Sequence, residues 1–210
     1  MIRRQNMRWQ IAIGTLFLVA ASTEVGLAAD PRYPDWPCTQ AKVPEISLTA
    51  VWAGPPLDDA TAGWKTDSKV SALVPKLAAR RTPLEEAEKE IVEFLAGSAS
   101  DKTAKGKLLF AGLFDTLNAQ RSSVLNGLER VTRKQREAAD KIRATTQALQ
   151  ELQSASPPDQ PKIDELNNQL VWEARIFEDR RRVITFVCEV PTTIDRRLFA
   201  LGRVIQQEME

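Results

Sequence analysis

The sequence predicts an all-α protein organised around a long antiparallel helical hairpin of coiled-coil character, with two shorter N-terminal helices and an extended proline- and tryptophan-rich N-terminal strap. Three observations predict it. A run of helix formers from Lys105 to about Ser154 contains no proline and carries an apolar residue every three or four positions. A second run with the same spacing begins after a proline cluster at Pro157, Pro158 and Pro161. The two runs mirror one another about Pro157–Pro158.

In the first run one line of positions reads Phe110, Leu117, Val124, Val131, Ala138, Thr145, Leu152, and the other Phe114, Arg121, Leu128, Gln135, Ile142, Leu149. The gaps alternate four and three, the spacing of a coiled-coil seam rather than of a broad surface stripe. About 50 residues rising about 1.5 Å each make a rod of about 75 Å. Helix propensity alone does not hold such a rod, so its seam requires a partner. The second run supplies one through Ile163, Leu166, Leu170, Glu173, Phe177, Arg180, Ile184 and Val187. A short proline-containing loop makes antiparallel neighbours. Seam residues then face each other when their numbers add to 315, so that Leu149 meets Leu166 and Val131 meets Ile184. The spacing stays in phase past Pro191, where Ile194, Leu198, Leu201 and Ile205 continue it. Two forms of the return arm are open: one helix kinked at Pro191, or a break at Glu189–Thr193 with Thr192 or Thr193 capping a separate last helix. The arms are expected at about 104–155 and 161–208.

Residues 1–28 read as a cleavable signal peptide. Arg3, Arg4 and Arg8 precede the apolar stretch Ile11–Ala21, and Gly26-Leu27-Ala28 has the small residues that a signal peptidase accepts. The stretch is too short to span a bilayer, so no stable membrane span is expected after cleavage. Export places the protein in the periplasm or outside the cell. Cleavage removes three arginines and one glutamate and leaves 26 basic and 27 acidic groups. That balance speaks against nucleic acid as a partner. The two cysteines, Cys38 and Cys188, are expected to form a disulfide in an oxidising compartment.

Residues 29–66 hold Pro31, Pro34, Pro37, Pro44, Pro55 and Pro56 with Trp36, Trp52 and Trp64. They predict a strap lying along the helices, with a short helical turn within Glu45–Ala53 that ends at Gly54-Pro55. The helical domain is expected over residues 67–210. Asp67 or Ser68 can cap a helix through Val70, Val74 and Leu77, with Pro75 kinking it or ending it early. Thr82-Pro83-Leu84-Glu85 reads as the start of the next helix, with Thr82 as N-cap, and Gly97 as its stop. Both helices are expected beside Phe110, Phe114, Leu198 and Leu201.

The sequence contains no histidine. That excludes Ser-His-Asp and Cys-His catalysis, histidine metal sites and histidine haem ligation. No glycine-rich phosphate loop and no EF-hand loop is present. No cofactor is expected. Asp58-Asp59 is a weak metal candidate, and the glutamates around Glu85–Glu93 suit a solvated helix face. The unusual polar feature is a basic band, Arg130, Arg133, Lys134 and Arg136 across from Arg180, Arg181 and Arg182. It suits either a salt-bridged layer or docking of an acidic partner. Together these features predict a non-enzymatic exported protein that acts by protein–protein contact as an adaptor, spacer or assembly factor. Its expected partner is another envelope protein, with homo-oligomers open as well. The alternative is a periplasmic chaperone or binding module with an apolar surface of Trp36, Trp52, Trp64 and Trp172.

Overall fold

A computed structural model describes residues 30–57, 60–98 and 100–210; the expected signal peptide and Asp58-Asp59 lie outside them. The described residues are helical with no strand, as the spacing predicts for an all-α chain. Seven helices follow in order: α1 (Leu48–Val51), α2 (Ala60–Gly63), α3 (Ser68–Ala78), α4 (Leu84–Ala96), α5 (Lys102–Ser154), α6 (Gln160–Val187) and α7 (Val190–Met209). Helix α5 is the organising element, and α2, α3, α4, α6 and α7 all contact it. None of the described helices is long and apolar enough to cross a membrane.

Bonds from α5 reach partners whose numbers fall as its own rise. Thr145 donates to Glu173, Gln135 Nε2 donates 3.0 Å to the Phe177 carbonyl, and Arg121 Nε lies 2.8 Å from Asp195 on α7. Asp159 starts α6 by accepting from the Lys162 amide. Pro161 occupies the first turn, where a missing N–H removes no helical bond. The break in the return arm falls at Cys188–Glu189, at the start of the expected interval and two to three residues before Pro191. Both residues keep right-handed helical torsions, and Glu189 takes the N-cap position of α7. Neither Thr192 nor Thr193 does, and the Thr193 hydroxyl donates back to the Glu189 carbonyl instead. Pro191 thus sits in the first turn of α7 and is tolerated there.

The core lies at the end of α5 that begins with Lys102. Leu109, Phe110, Leu113 and Leu117 of α5 meet Ile194, Leu198, Leu201 and Ile205 of α7. Val70, Val74 and Leu77 of α3 and Ala87, Ile91 and Leu95 of α4 complete it. Asp67 caps α3 as expected, accepting from the Lys69 and Val70 amides and pairing with Lys105. Pro75 does not end α3 early. The helix runs on to Ala78, because Val70, Val74, Leu77 and Ala78 are all fully buried and that packing outweighs one lost backbone bond. Thr82 does not cap α4 either. Its hydroxyl donates 3.0 Å to the Lys76 carbonyl, one of the orphan acceptors at the end of α3, and Pro83 stands at the N-cap.

The N-terminal segment before α3 lies against α5 and α7. Cys38 is bonded to Cys188 at the α6–α7 joint. Asp35 pairs with Arg133 and Arg136, and Lys42 pairs with Glu129. The Ile46 amide donates to Asn118, and the Ala53 amide to Gln206. Trp52 stacks on Phe110 with ring centroids 4.1 Å apart.

Candidate docking surface

Away from the core the α5–α6 pair is thinly covered. Ile163 alone is buried among the 28 residues of α6. Between the two helices lies a cavity of about 580 Å³. Its floor is apolar, from Val124, Leu128 and Val131 of α5 and Val183, Ile184 and Val187 of α6. Arg130, Lys134 and Arg180 stand around it with a single acid, Asp179. Alongside the groove α6 exposes Trp172 (63%), Ile176 (45%), Val183 (59%) and Phe186 (77%). Isolated apolar residues on a surface carry no message, but several at helical spacing beside an apolar groove mark a contact face.

The basic band divides into two. Arg133 and Arg136 are taken by the N-terminal segment: Arg133 lies 2.8 Å from Asp35, and Arg136 also pairs with Asp35 and donates to the Pro34 carbonyl. Arg181 lies 2.9 Å from Glu178 one turn away on α6. Arg130, Lys134, Arg180 and Arg182 have no ion-pair partner among the described residues, and the first three stand at the groove. The band is therefore neither one salt-bridged layer nor one continuous patch. Gln135 of the α5 seam donates to the Phe177 backbone. Farther along the pair Glu173 accepts from Gln169 and lies 2.9 Å from Lys141. These partners, Gln169 first, hold its carboxyl below the ordinary carboxylate range.

The four tryptophans expected to form an apolar surface are not brought together. Trp52 and Trp64 are buried in the core. Trp36 is half-buried, its indole N–H donating 2.7 Å to the Gln40 carbonyl within the N-terminal segment. Trp172 alone stands out, with Arg175 5.9 Å over its ring. Large aromatics gain most from full burial, and the bundle end offered Trp52 and Trp64 a core to enter. Sequence reasoning missed the exposed row on α6. Its signal was present: Trp172, Ile176, Asp179, Val183 and Phe186 repeat the four-three spacing one position ahead of the seam that faces α5.

No group of three or more Cys, His, Asp or Glu side chains that could hold a metal ion occurs among the described residues. The chain matches no known family model, no curated protein and no solved structure at a significant level.

Proposed function

We propose that the chain is an exported, non-enzymatic helical protein that works through protein–protein contact in the cell envelope, as an adaptor, spacer or assembly factor. The architecture behind this is a long antiparallel hairpin braced by an N-terminal strap that the Cys38–Cys188 bond ties down. The observation that carries it is the apolar groove of α5 and α6 with its unpaired cations Arg130, Lys134 and Arg180. A groove between two helices accepts a third helix, whose apolar face fills the floor while its flanking charges meet the rim. Sequence chemistry agrees with a scaffold, since the absence of histidine removes the Ser-His and Cys-His forms of an assembled nucleophile.

The test is cross-linking of the full chain in intact cells, comparing the natural protein with Val131→Glu. Cross-linked species that form with the natural protein and vanish with the variant support docking in the groove. Species that are identical in both, or absent from both, overturn it. A holdase role is a second reading, favoured by the exposed Trp172 and Phe186 on α6. It expects suppression of the aggregation of an unfolded client, lost on Phe186→Ser.

A further inference from the structure

We propose that the groove and the exposed row of α6 are covered by a second copy of this chain, α6 against α6 about a two-fold axis, with Asp179 of each copy paired to Arg180 of the other. This deepens the docking reading above by naming the occupant.

Helix α6 carries two apolar rows. One faces α5. The other, through Trp172, Ile176, Val183 and Phe186, is offset from it by one position, about 100° around the helix, and is exposed. Asp179 sits in the middle of the exposed row. It is the feature that selects the occupant. An acidic partner helix would suit Arg130, Lys134 and Arg180 but would confine Asp179 against its own negative charge. A purely apolar partner would strip water from Asp179 and leave it unpaired. A second copy supplies the missing cation. Reversing α6 about the midpoint between Asp179 and Arg180 lays Ile176 on Val183 and Trp172 on Val187, with Phe186 beside it. The same operation sets Asp179 on Arg180 twice, once on each side of the axis. Among the described residues neither Asp179 nor Arg180 has an ion-pair partner, whereas their neighbours Glu178 and Glu173 are already taken by Arg181 and Lys141. A patch in which Ile176 and Val183 exchange, Trp172 meets Val187 and opposite charges map onto each other under reversal suits a two-fold contact, since each residue must meet the partner of its partner; Phe186 then falls at Glu173.

The experiment is sedimentation equilibrium of the full chain, disulfide intact, from about 1 to 100 µM, a range that resolves dissociation constants of that order. The natural protein is expected to dimerise. Asp179→Arg sets two arginines against each other at each side of the axis and is expected to weaken the dimer about tenfold or more, as is Arg180→Asp. The double variant Asp179→Arg/Arg180→Asp restores both pairs with their signs exchanged and is expected to recover the natural affinity to within about threefold. Both positions of change are exposed, so helical circular dichroism should stay constant and separate loss of association from loss of fold. A natural protein that stays monomeric throughout, an affinity that neither single reversal alters, or a double variant that fails to recover each overturns the proposal. A monomer that still gives Val131-dependent cross-links to a different protein overturns the second copy and leaves the docking reading standing.

Discussion

Arg121 Nε lies 2.8 Å from Asp195, joining α5 to α7, while Arg121 Nη1 donates 2.6 Å to the Val43 carbonyl of the N-terminal segment. One guanidinium thus holds three parts of the chain together. The two partners differ in exposure, with 4% of the Arg121 side chain accessible and 39% of Asp195. Burial pushes the Asp195 carboxyl above its ordinary range, and Arg121 only partly opposes this.

Arg121→Met should therefore be the costlier change. It removes the buried guanidinium and deprives the part-buried Val43 carbonyl of its donor, at about 1–3 kcal/mol. Asp195→Asn keeps those bonds and loses a half-solvated pair, at under about 1 kcal/mol. The pH dependence has a definite sign. An acid whose folded pKa is raised binds its proton more readily folded than unfolded, so its contribution to stability declines as pH rises through that raised range. Between about pH 7 and pH 4 the natural protein should gain stability relative to Asp195→Asn as acid is added. Urea unfolding of both proteins across that interval measures the difference, and a difference that moves the other way refutes the assignment.

Two glycines in α5 should respond oppositely to the same substitution. A methyl group at Gly112 would stand 2.6 Å from Val74 Cγ2 and 3.0 Å from the Trp64 ring. Alanine there should destabilise by about 1–3 kcal/mol through overpacking, despite its better helix propensity. At Gly127 a methyl would meet only Arg130 Nη2, at 3.9 Å. Gly127→Ala should raise stability by up to about 1 kcal/mol. Thermal unfolding of the pair distinguishes a crowded core from an open groove on one helix.

Much of this was legible in sequence, and the losses have causes. The span of α5 was readable because fifty residues without proline or strong breaker leave few other structures open. The Cys38–Cys188 bond was readable because two cysteines in a chain expected to be exported allow one pairing. Local capping was readable at Asp67, whose own amides are two and three residues away, but not at Thr82, whose hydroxyl goes to Lys76 of the preceding helix. Pro75 was overridden by tertiary packing that no local rule contains. The burial of Trp52 and Trp64 depends on Phe110 and Gly112 of α5, and the partners of Arg121 are Val43 and Asp195, all of them distant in the chain, where periodicity is silent. The exposed row on α6 was encoded locally and hidden by the stronger seam beside it.

Arg197 of α7 is buried with no acidic partner among the described residues. Its Nε donates 2.7 Å to the Leu77 carbonyl, and its Nη1 donates 3.0 Å to the Thr82 carbonyl. Burial pulls its pKa below the ordinary value for arginine. The cation is held instead by the Leu77 carbonyl at the C-terminal end of α3, where the helix dipole favours positive charge, and by the Thr82 carbonyl between α3 and α4. Arg197→Met should strand both carbonyls and cost about 1–3 kcal/mol. Arg197→Lys keeps the charge but has no planar fork to reach both acceptors, so it should recover only part of the loss. Chemical denaturation of the two variants gives the order; equal stability of Lys and natural Arg would show that charge alone suffices.

The Cys38–Cys188 bond closes 150 positions of chain and anchors the segment that carries Asp35 and Lys42. Loop closure of that size corresponds to up to about 5 kcal/mol, and about 2–5 kcal/mol is the usual loss on removing a native bond. In its absence the Gln40 amide still donates to the Cys188 carbonyl, and beside it stand the ion pairs of Asp35 with Arg133 and Arg136 and of Lys42 with Glu129. The Asp35 pairs are half open to solvent and are screened by salt. Cys38→Ser/Cys188→Ser should therefore unfold at a lower temperature than the natural protein and lose further protection of residues 33–42 from hydrogen exchange when salt is raised to about 1 M, where screening acts within about 3 Å. The natural protein should show little salt effect over the same residues, because the covalent tie holds Asp35 near its arginines whatever the ionic strength. Equal salt sensitivity in the two proteins would mean that packing of Trp52 and Trp64, rather than the bond and its ionic neighbours, keeps this segment in place.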